Sequence, residues 1–520
     1  MPLARALGVV ISGVEAHVVE VEAHLSSGLP GMAIVGLADT AVGEARDRVR
    51  AAVLNSGARW PQARITVGLS PASLHKRGSG LDLAIASAIL AADRQLPSEP
   101  IGEAILFAEL GLDGRARPVR GAVVAAVAAA RSGRGTIVVA QGNAAEAAVV
   151  PGVRAIGVAS LRHWAQVLGG QSAPADPDPR AGPPDPLTGP GGAPASAGRP
   201  DGAPDLADVR GQAEAVAALE VAAVGGHHVA MVGRPGIGKT MLAERLPGIL
   251  PDLPDEDALT VTSIRSVVAG ADGLVHRPPF QAPHHTATVA ALVGGGRGGH
   301  PYPGAVTLAH AGVLFLDEAA EFAPACLEAL RQPLESGVVT IARAGLTARM
   351  PARFQLVLAA NPCPCGHGDG SGAQCTCRSA DRRRYRARLS GPLMDRVDIR
   401  LGLHPPGPVV WSGEQAAGTR QVRERVAAAR ARGLRRMRRA DLPEILPGGY
   451  GSAMLRGPLA PEPAAADLLG TAVASGRISA RGADRAVRVA WSIADLAGAD
   501  RPGLAHVGRA LTLREGILDG

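Results

Sequence analysis

Lysine is almost missing from this 520-residue chain: two of its 54 basic residues, Lys76 and Lys239, are lysine, and the others are arginine. Aromatic residues are scarce at 2%, so few ring platforms for stacking nucleic-acid bases can be built. Cysteine is limited to five residues, four of them within positions 363–377, which argues against the disulfide framework of a small secreted protein. No apolar run approaches the ~18 residues of a membrane span, and the first residues lack the pattern of a secretory signal. The expectation is a soluble cytoplasmic protein that does not engage a membrane.

What the chain does have is alanine, glycine, proline and arginine in abundance. Its net charge of +7 and pI of about 9.7 suit a nucleic-acid partner without requiring one. Its length has room for about two to four domains with sizeable cores. Residues 1–168 read as an α+β unit, with strands at 9–11, 16–21, 32–35, 65–69, 137–139 and 153–157. Helices are expected at 39–54, 82–92 and 122–130, and a hairpin over 109–121. Residues 169–204 are dominated by Pro, Gly, Ala and Asp and read as a flexible linker. Residues 205–410 carry an α/β nucleotide-binding pattern. Residues 411–520 read as helical, opening with a long basic helix over 414–439.

The stretch V-A-M-V-G-R-P-G-I-G-K-T, residues 229–240, is the most informative in the chain. Gly233, Arg234, Pro235, Gly236, Ile237, Gly238, Lys239 and Thr240 fit G-x-x-x-x-G-K-[ST] between an apolar strand and a helix. In such a loop glycines let backbone N–H groups converge on phosphate oxygens, and the helix N-terminus adds partial positive charge. Lys239 would reach the β- and γ-phosphates and the Thr240 hydroxyl would ligate Mg²⁺. A chain that otherwise uses arginine places a lysine here because a compact ammonium fits among phosphates where a planar fork does not.

Asp317 and Glu318 end an apolar strand 78 positions beyond Lys239. At that distance behind a phosphate loop, Asp317 is expected to hold Mg²⁺ and Glu318 to polarise the attacking water. Asn361 ends a further strand at 354–360 and is placed to orient that water. Arg396, in Ser390-Gly-Pro-Leu-Met-Asp-Arg-Val-Asp398, is a candidate arginine finger acting on a neighbouring subunit's ATP. Ser479 is placed as an N-cap, which puts Arg481 outward in the first helical turn as a candidate γ-phosphate sensor or a solvated surface arginine.

This order of motifs resembles that of AAA+ ATPases. Phe280-Gln-Ala-Pro-His-His-Thr286, Gly294-Gly-Gly296 and Ala359-Ala-Asn-Pro-Cys-Pro-Cys-Gly366 narrow the resemblance to the Mg-chelatase-like family of the YifB/ComM type. Asp208-Val-Arg-Gly-Gln212 also matches, and the resemblance places Gln212 near the adenine. It implies a fold class of α/β with an AAA+ P-loop NTPase core, an N-terminal α+β Lon-protease-like (ribosomal-protein-like) domain over 1–168, and a C-terminal helical lid over 411–520. It implies ATP and Mg²⁺ as cofactors and a homohexameric ring that moves on single-stranded or branched DNA, a branch-migration helicase in recombination or natural transformation, with recombination proteins as partners.

Residues 330–361 also resemble the replicative MCM helicases. By that analogy the hairpin Thr340–Arg349 would enter the ring pore, with Arg343 and Arg349 on a phosphate backbone, and the Gly- and His-rich insert 280–310 would be a second pore element. An exposed inter-subunit contact is the alternative for both. Two other functions compete: a protein-threading chaperone, for which Phe280 and Tyr302 are the aromatic pore candidates, and a chelatase motor, which the lack of a D-x-S-x-S pattern disfavours.

Cys363, Cys365, Cys375 and Cys377 form two C-x-C pairs that either ligate a structural Zn²⁺ or pack as metal-free loop thiols. Cys326 reads as a core residue. Arg382-Arg-Arg-Tyr-Arg-Ala-Arg388 carries five arginines around a tyrosine, placed against DNA or a neighbour's nucleotide, and the nine arginines of 420–439 read as a solvated helix face. Alignment with the Lon protease puts Gly80 at its nucleophile position and Ala125 at its lysine position, so peptidase activity is not expected.

Overall fold

The computed structural model describes residues 2–36, 40–76, 78–169, 204–297, 300–343, 346–368, 375–389, 391, 393–404 and 417–516. The expected linker falls almost wholly outside them. In the first unit, β1 (Leu3–Ser12) and β2 (Glu15–Ser26) form a hairpin around Gly13, whose φ of +64° suits a tight reversal. Along β2, Val19, Val21, Ala23 and Leu25 point inward and alternate with Glu20, Glu22 and His24, the two-residue period of a half-buried strand. With β3 (Gly31–Val35), β4 (Arg64–Ser70), β5 (Ile105–Phe107), β8 (Thr136–Ala140) and β9 (Arg154–Val158), β1 and β2 build a seven-stranded sheet, and β6 (Glu109–Leu110) and β7 (Ala116–Arg117) form a short hairpin of their own. The sheet runs β3-β4-β2-β1-β5-β8-β9 and is mixed, antiparallel only at β1–β2 and β2–β4. Helix Asp82–Ala92 is apolar around nearly its whole circumference, and every residue of it is buried against β1 and β2.

In the second unit lie β10 (Val229–Val232), β11 (Phe280–Gln281), the hairpin β12 (Gly294–Arg297) and β13 (His300–Pro303), and β14 (Val313–Leu316). The hairpin β15 (Val338–Arg343) and β16 (Leu346–Pro351), then β17 (Gln355–Ala360) and β18 (Ile399–Gly402), follow. A five-stranded sheet in the order β11-β14-β17-β10-β18 is parallel throughout. Its strands β14 and β17 are buried along their whole length, which is why they read as unbroken apolar runs. The α/β class expected for this part is what is found. One apolar core joins this sheet to the C-terminal helices through Val422, Val426, Tyr450 and Trp491. The two units touch where the Gly121 and Val123 N–H groups donate to the backbone carbonyl and hydroxyl of Ser266.

Four of the nine arginines of helix Thr419–Arg439 depart from the expected solvated face, while Arg420, Arg425, Arg435, Arg438 and Arg439 are exposed as expected. Arg423 donates to the Gly248 carbonyl, Arg430 to that of Ala223 and Arg432 to that of Asp495. Those carbonyls lie in the last turns of helices Lys239–Ile249, Ala213–Gly225 and Ala480–Ala497. Terminal helix carbonyls lack intrahelical donors, and guanidinium groups supply them together with charge of the favourable sign. Arg436 forms a two-point ion pair with buried Asp495 and stacks 3.8 Å over the Trp491 ring. The helix is a clasp, and composition alone cannot tell a clasp from a surface.

Two histidines set an acid limit on the fold. His228 accepts the Leu356 N–H, and His310 accepts the Arg353 N–H, each at Nδ1. Burial lowers both rings to about 4, below the ordinary value near 6.5. Between those values the unfolded chain binds the extra protons, so stability rises with pH there and is lost as pH falls. Denaturant titrations between about pH 4 and 6.5 are expected to show a slope approaching ~1.4 kcal/mol per pH unit for each ring, flattening above that window. A flat profile would remove the two rings from the account.

Candidate active site

Three neighbouring parallel strands, β14, β17 and β10, end at one edge of the second sheet, and the candidate residues leave from those ends. In register, Val232 faces Ala360 and the Gly233 N–H donates to the Ala360 carbonyl, so the phosphate loop starts beside Asn361. Gly236 and Gly238 have φ of +76° and +98°, left-handed values that glycine adopts without a Cβ penalty. At Gly233 a Cβ would lie 3.0 Å from Ile237 and from Leu403, so the loop is also close-packed.

Lys239 opens the helix and folds back over the loop. Its Nζ donates to the carbonyls of Gly233 (2.7 Å) and Arg234 (3.0 Å) and to Asn361 Oδ1 (3.0 Å). Burial lowers its pKa, against the opposing charges of Asp317 and Glu318. Thr240 Oγ1 donates to Asp317 Oδ2 at 2.8 Å, so two hard oxygen ligands of the kind Mg²⁺ prefers converge here. Asp317 Oδ1 accepts the Glu318 N–H at 2.9 Å. Glu318 has φ +49°, an uncommon conformation for a residue with a Cβ, which turns it off the strand axis. Its carboxylate lies 3.2 Å from His285 Nδ1. His285 was not singled out from sequence, because nothing in a string says that positions 285 and 318 meet.

Gln212 is buried and donates to the His404 carbonyl, tying the segment ahead of the phosphate loop to the chain after β18. Arg396 is ion-paired with Glu335 of the same chain. Behind it lies a second unforeseen group. Arg485 donates to the Arg396 carbonyl (3.0 Å) and to Asp398 (2.6 Å), which also meets His227. Burial alone would raise the Asp398 pKa, but the His227 hydrogen bond and the charges of His227 and Arg485 hold it well below the usual carboxylate range. Arg481 stands one turn before Arg485 on helix Ala480–Ala497, is exposed, and follows the Ser479 cap, whose hydroxyl accepts the Gly482 N–H.

In the hairpin of β15 and β16, Val339, Ile341, Ala348 and Met350 are buried in the core beneath it. Arg349 lines a cavity of about 430 Å³ between the two units, with Glu15, Arg131 and Glu256 on its walls. The side chain of Arg343 lies outside the described residues. Phe280 stacks on Phe315 with ring centroids 6.0 Å apart in the sheet, whereas Tyr302 is 47% exposed. Phe280 is thus a sheet residue and not a free pore aromatic. Cys326 is buried in the core, as expected. In the first unit a Cβ at Gly80 would fall 2.6 Å from the Phe107 ring, Ala125 is fully buried, and Ser79 hydrogen-bonds Glu109. Lys76 is buried on the Pro71 carbonyl.

Residues 205–407 match the family described as magnesium chelatase, subunit ChlI; residues 21–143 match subunit ChlI of Mg-chelatase, and 416–514 the ChlI C-terminal family. An uncharacterised protein of Mycobacterium tuberculosis is 48% identical over 99% of both chains. YifB of Escherichia coli is 41% identical over 83% of each chain, and the competence protein ComM of Haemophilus influenzae 41% over 80% of each. Among the described residues no helix is long and apolar enough to cross a membrane.

Proposed function

The chain belongs to the Mg-chelatase-like family of YifB and ComM, and from that premise we propose a homohexameric AAA+ ATPase that converts ATP hydrolysis into movement on single-stranded or branched DNA. The observation that supports the ATPase most directly is the meeting of Lys239, Thr240, Asp317 and Asn361 at the ends of adjacent parallel strands. The competence protein ComM among its relatives supports a task in recombination or in uptake of foreign DNA. The first unit is assigned as a Lon-protease-like domain without its dyad, and the C-terminal helices as the AAA+ lid.

In this reading Gly233–Thr240 cradles the phosphates, and Lys239 exchanges its backbone carbonyl partners for β- and γ-phosphate oxygens. Thr240 and Asp317 would hold Mg²⁺, which when bound offsets phosphate charge. Glu318 takes a proton from the attacking water, and Asn361 fixes that water's position. Gln212 borders the adenine, Arg396 reaches a neighbouring subunit's γ-phosphate and Arg481 senses it from the lid. For Arg396 this requires release from Glu335.

ATP turnover is expected to rise several-fold with single-stranded or branched DNA, and the stimulation to fade with added salt because phosphate contacts release counterions. Turnover indifferent to every DNA sinks the translocase reading. The exposed Tyr302 keeps a protein-threading motor as the second reading: loss of protein unfolding in Tyr302→Ala with DNA stimulation intact selects it.

A further inference from the structure

We propose that Cys363, Cys365, Cys375 and Cys377 bind one structural Zn²⁺, and that this metal braces the phosphate loop and the Asn361 turn. The four sulfur atoms lie within 4.8 Å of one another. Cys363 Sγ is 3.3 Å from Cys365 and 3.7 Å from Cys375, and Cys365 is 3.7 Å from Cys375. A tetrahedral site with Zn–S of ~2.3 Å requires sulfur separations of about 3.8 Å. A disulfide requires ~2.05 Å, so the spacing is that of ligands around one ion. Four soft thiolates around a single centre favour zinc, and a closed set leaves no open position for chemistry. The backbone at His367 and Thr376 lies against the Cys365 sulfur, where ligand sulfurs ordinarily find outer support. Binding sends the thiol protons to solvent and leaves a tetrathiolate of charge −2, with arginines following in the chain at 378 and 382–384.

The site is inseparable from its neighbours. Gly366, at φ +82°, follows the second ligand, and a Cβ there would lie 2.7 Å from Pro235 of the phosphate loop. Asn361 stands two residues before the first ligand, and its backbone lies against the hydroxyl of Tyr385. Tyr385 is buried on helix Ser379–Arg388, which begins just after the last ligand. Arg388 of that helix donates to the Ala320 carbonyl beyond Glu318. Both ends of the metal loop are therefore tied to residues assigned to ATP, and the brace rests on the ATPase reading above.

The test uses the full-length protein. Metal analysis is expected to give about one zinc per chain, and Cys375→Ser to lose it. Because that variant can misfold, wild-type protein exchanged with cobalt provides the second measurement, with thiolate-to-cobalt charge-transfer and tetrahedral d–d bands expected. Neither zinc nor a tetrahedral cobalt spectrum overturns the site. Removing zinc is expected to weaken a fluorescent ATP analogue about tenfold, the lower end of outer-support effects, with recovery on adding zinc back. Unchanged affinity after removal overturns the brace. Zinc-loaded protein that never binds the analogue overturns the ATPase reading and leaves the metal site standing.

Discussion

Lys239→Ala is expected to lower kcat/KM for ATP by about 10²–10³-fold, the loss that follows removal of one positioned charge-stabilising donor. The fold gives that lysine a defined task. Its ammonium is buried and held by two loop carbonyls and Asn361 Oδ1, all acceptors that phosphate oxygens can replace. Burial lowers its pKa, which raises its readiness to take an anionic partner, since desolvated charge gains more from a counter-charge. Lys239→Arg keeps the charge and is expected to fail nearly as badly. A planar fork with five donors cannot collect three acceptors arranged around a single nitrogen. Steady-state ATPase assays with thermal denaturation of both variants check this. An arginine variant with near wild-type turnover would show that charge alone suffices and would remove the geometric argument.

The phosphate loop was fully legible because its chemistry is local: glycines, lysine and threonine are consecutive, and the strand before them and helix after them are signalled by the same residues. Asp317, Glu318 and Asn361 were legible because a parallel sheet presents its strand ends at one edge, so separate strand–acid and strand–amide patterns converge by topology. The strands and helices of the first unit were readable for a similar reason, with β2 alternating at period two and helix 82–92 apolar throughout. What stayed hidden depends on packing between distant segments. The His285–Glu318 pair and the Asp398–Arg485–His227 group join positions 33 to 171 apart. Arg423, Arg430, Arg432 and Arg436 read as part of a solvated face because sequence carries no record of which helix ends and carboxylates lie nearby. Arg349 is exposed on β16 and also lines the cavity between the units, and the second of these placements depends on segments that the string does not bring together.

Glu318→Gln is expected to separate binding from chemistry, retaining ATP while turnover falls by about 10²–10⁴-fold, the range for a positioned general base. Retained binding is expected because the phosphate contacts belong to other residues. Asp317 engages Thr240 through one oxygen and supports the turn through the other by accepting the Glu318 N–H, a backbone group the substitution leaves in place. Loss of turnover is expected because glutamine matches the shape of glutamate and cannot accept a proton at neutral pH. The left-handed backbone at Glu318 is unaffected by the change of side chain, so the turn that aims position 318 persists. Near position 318, His285 keeps a hydrogen-bond acceptor in the amide oxygen. Equilibrium binding of a fluorescent ATP analogue and single-turnover hydrolysis, measured on the same preparation, distinguish the roles. Parallel loss of both would make Glu318 a structural residue of the turn, and the proton would then have to leave through Asp317 or solvent.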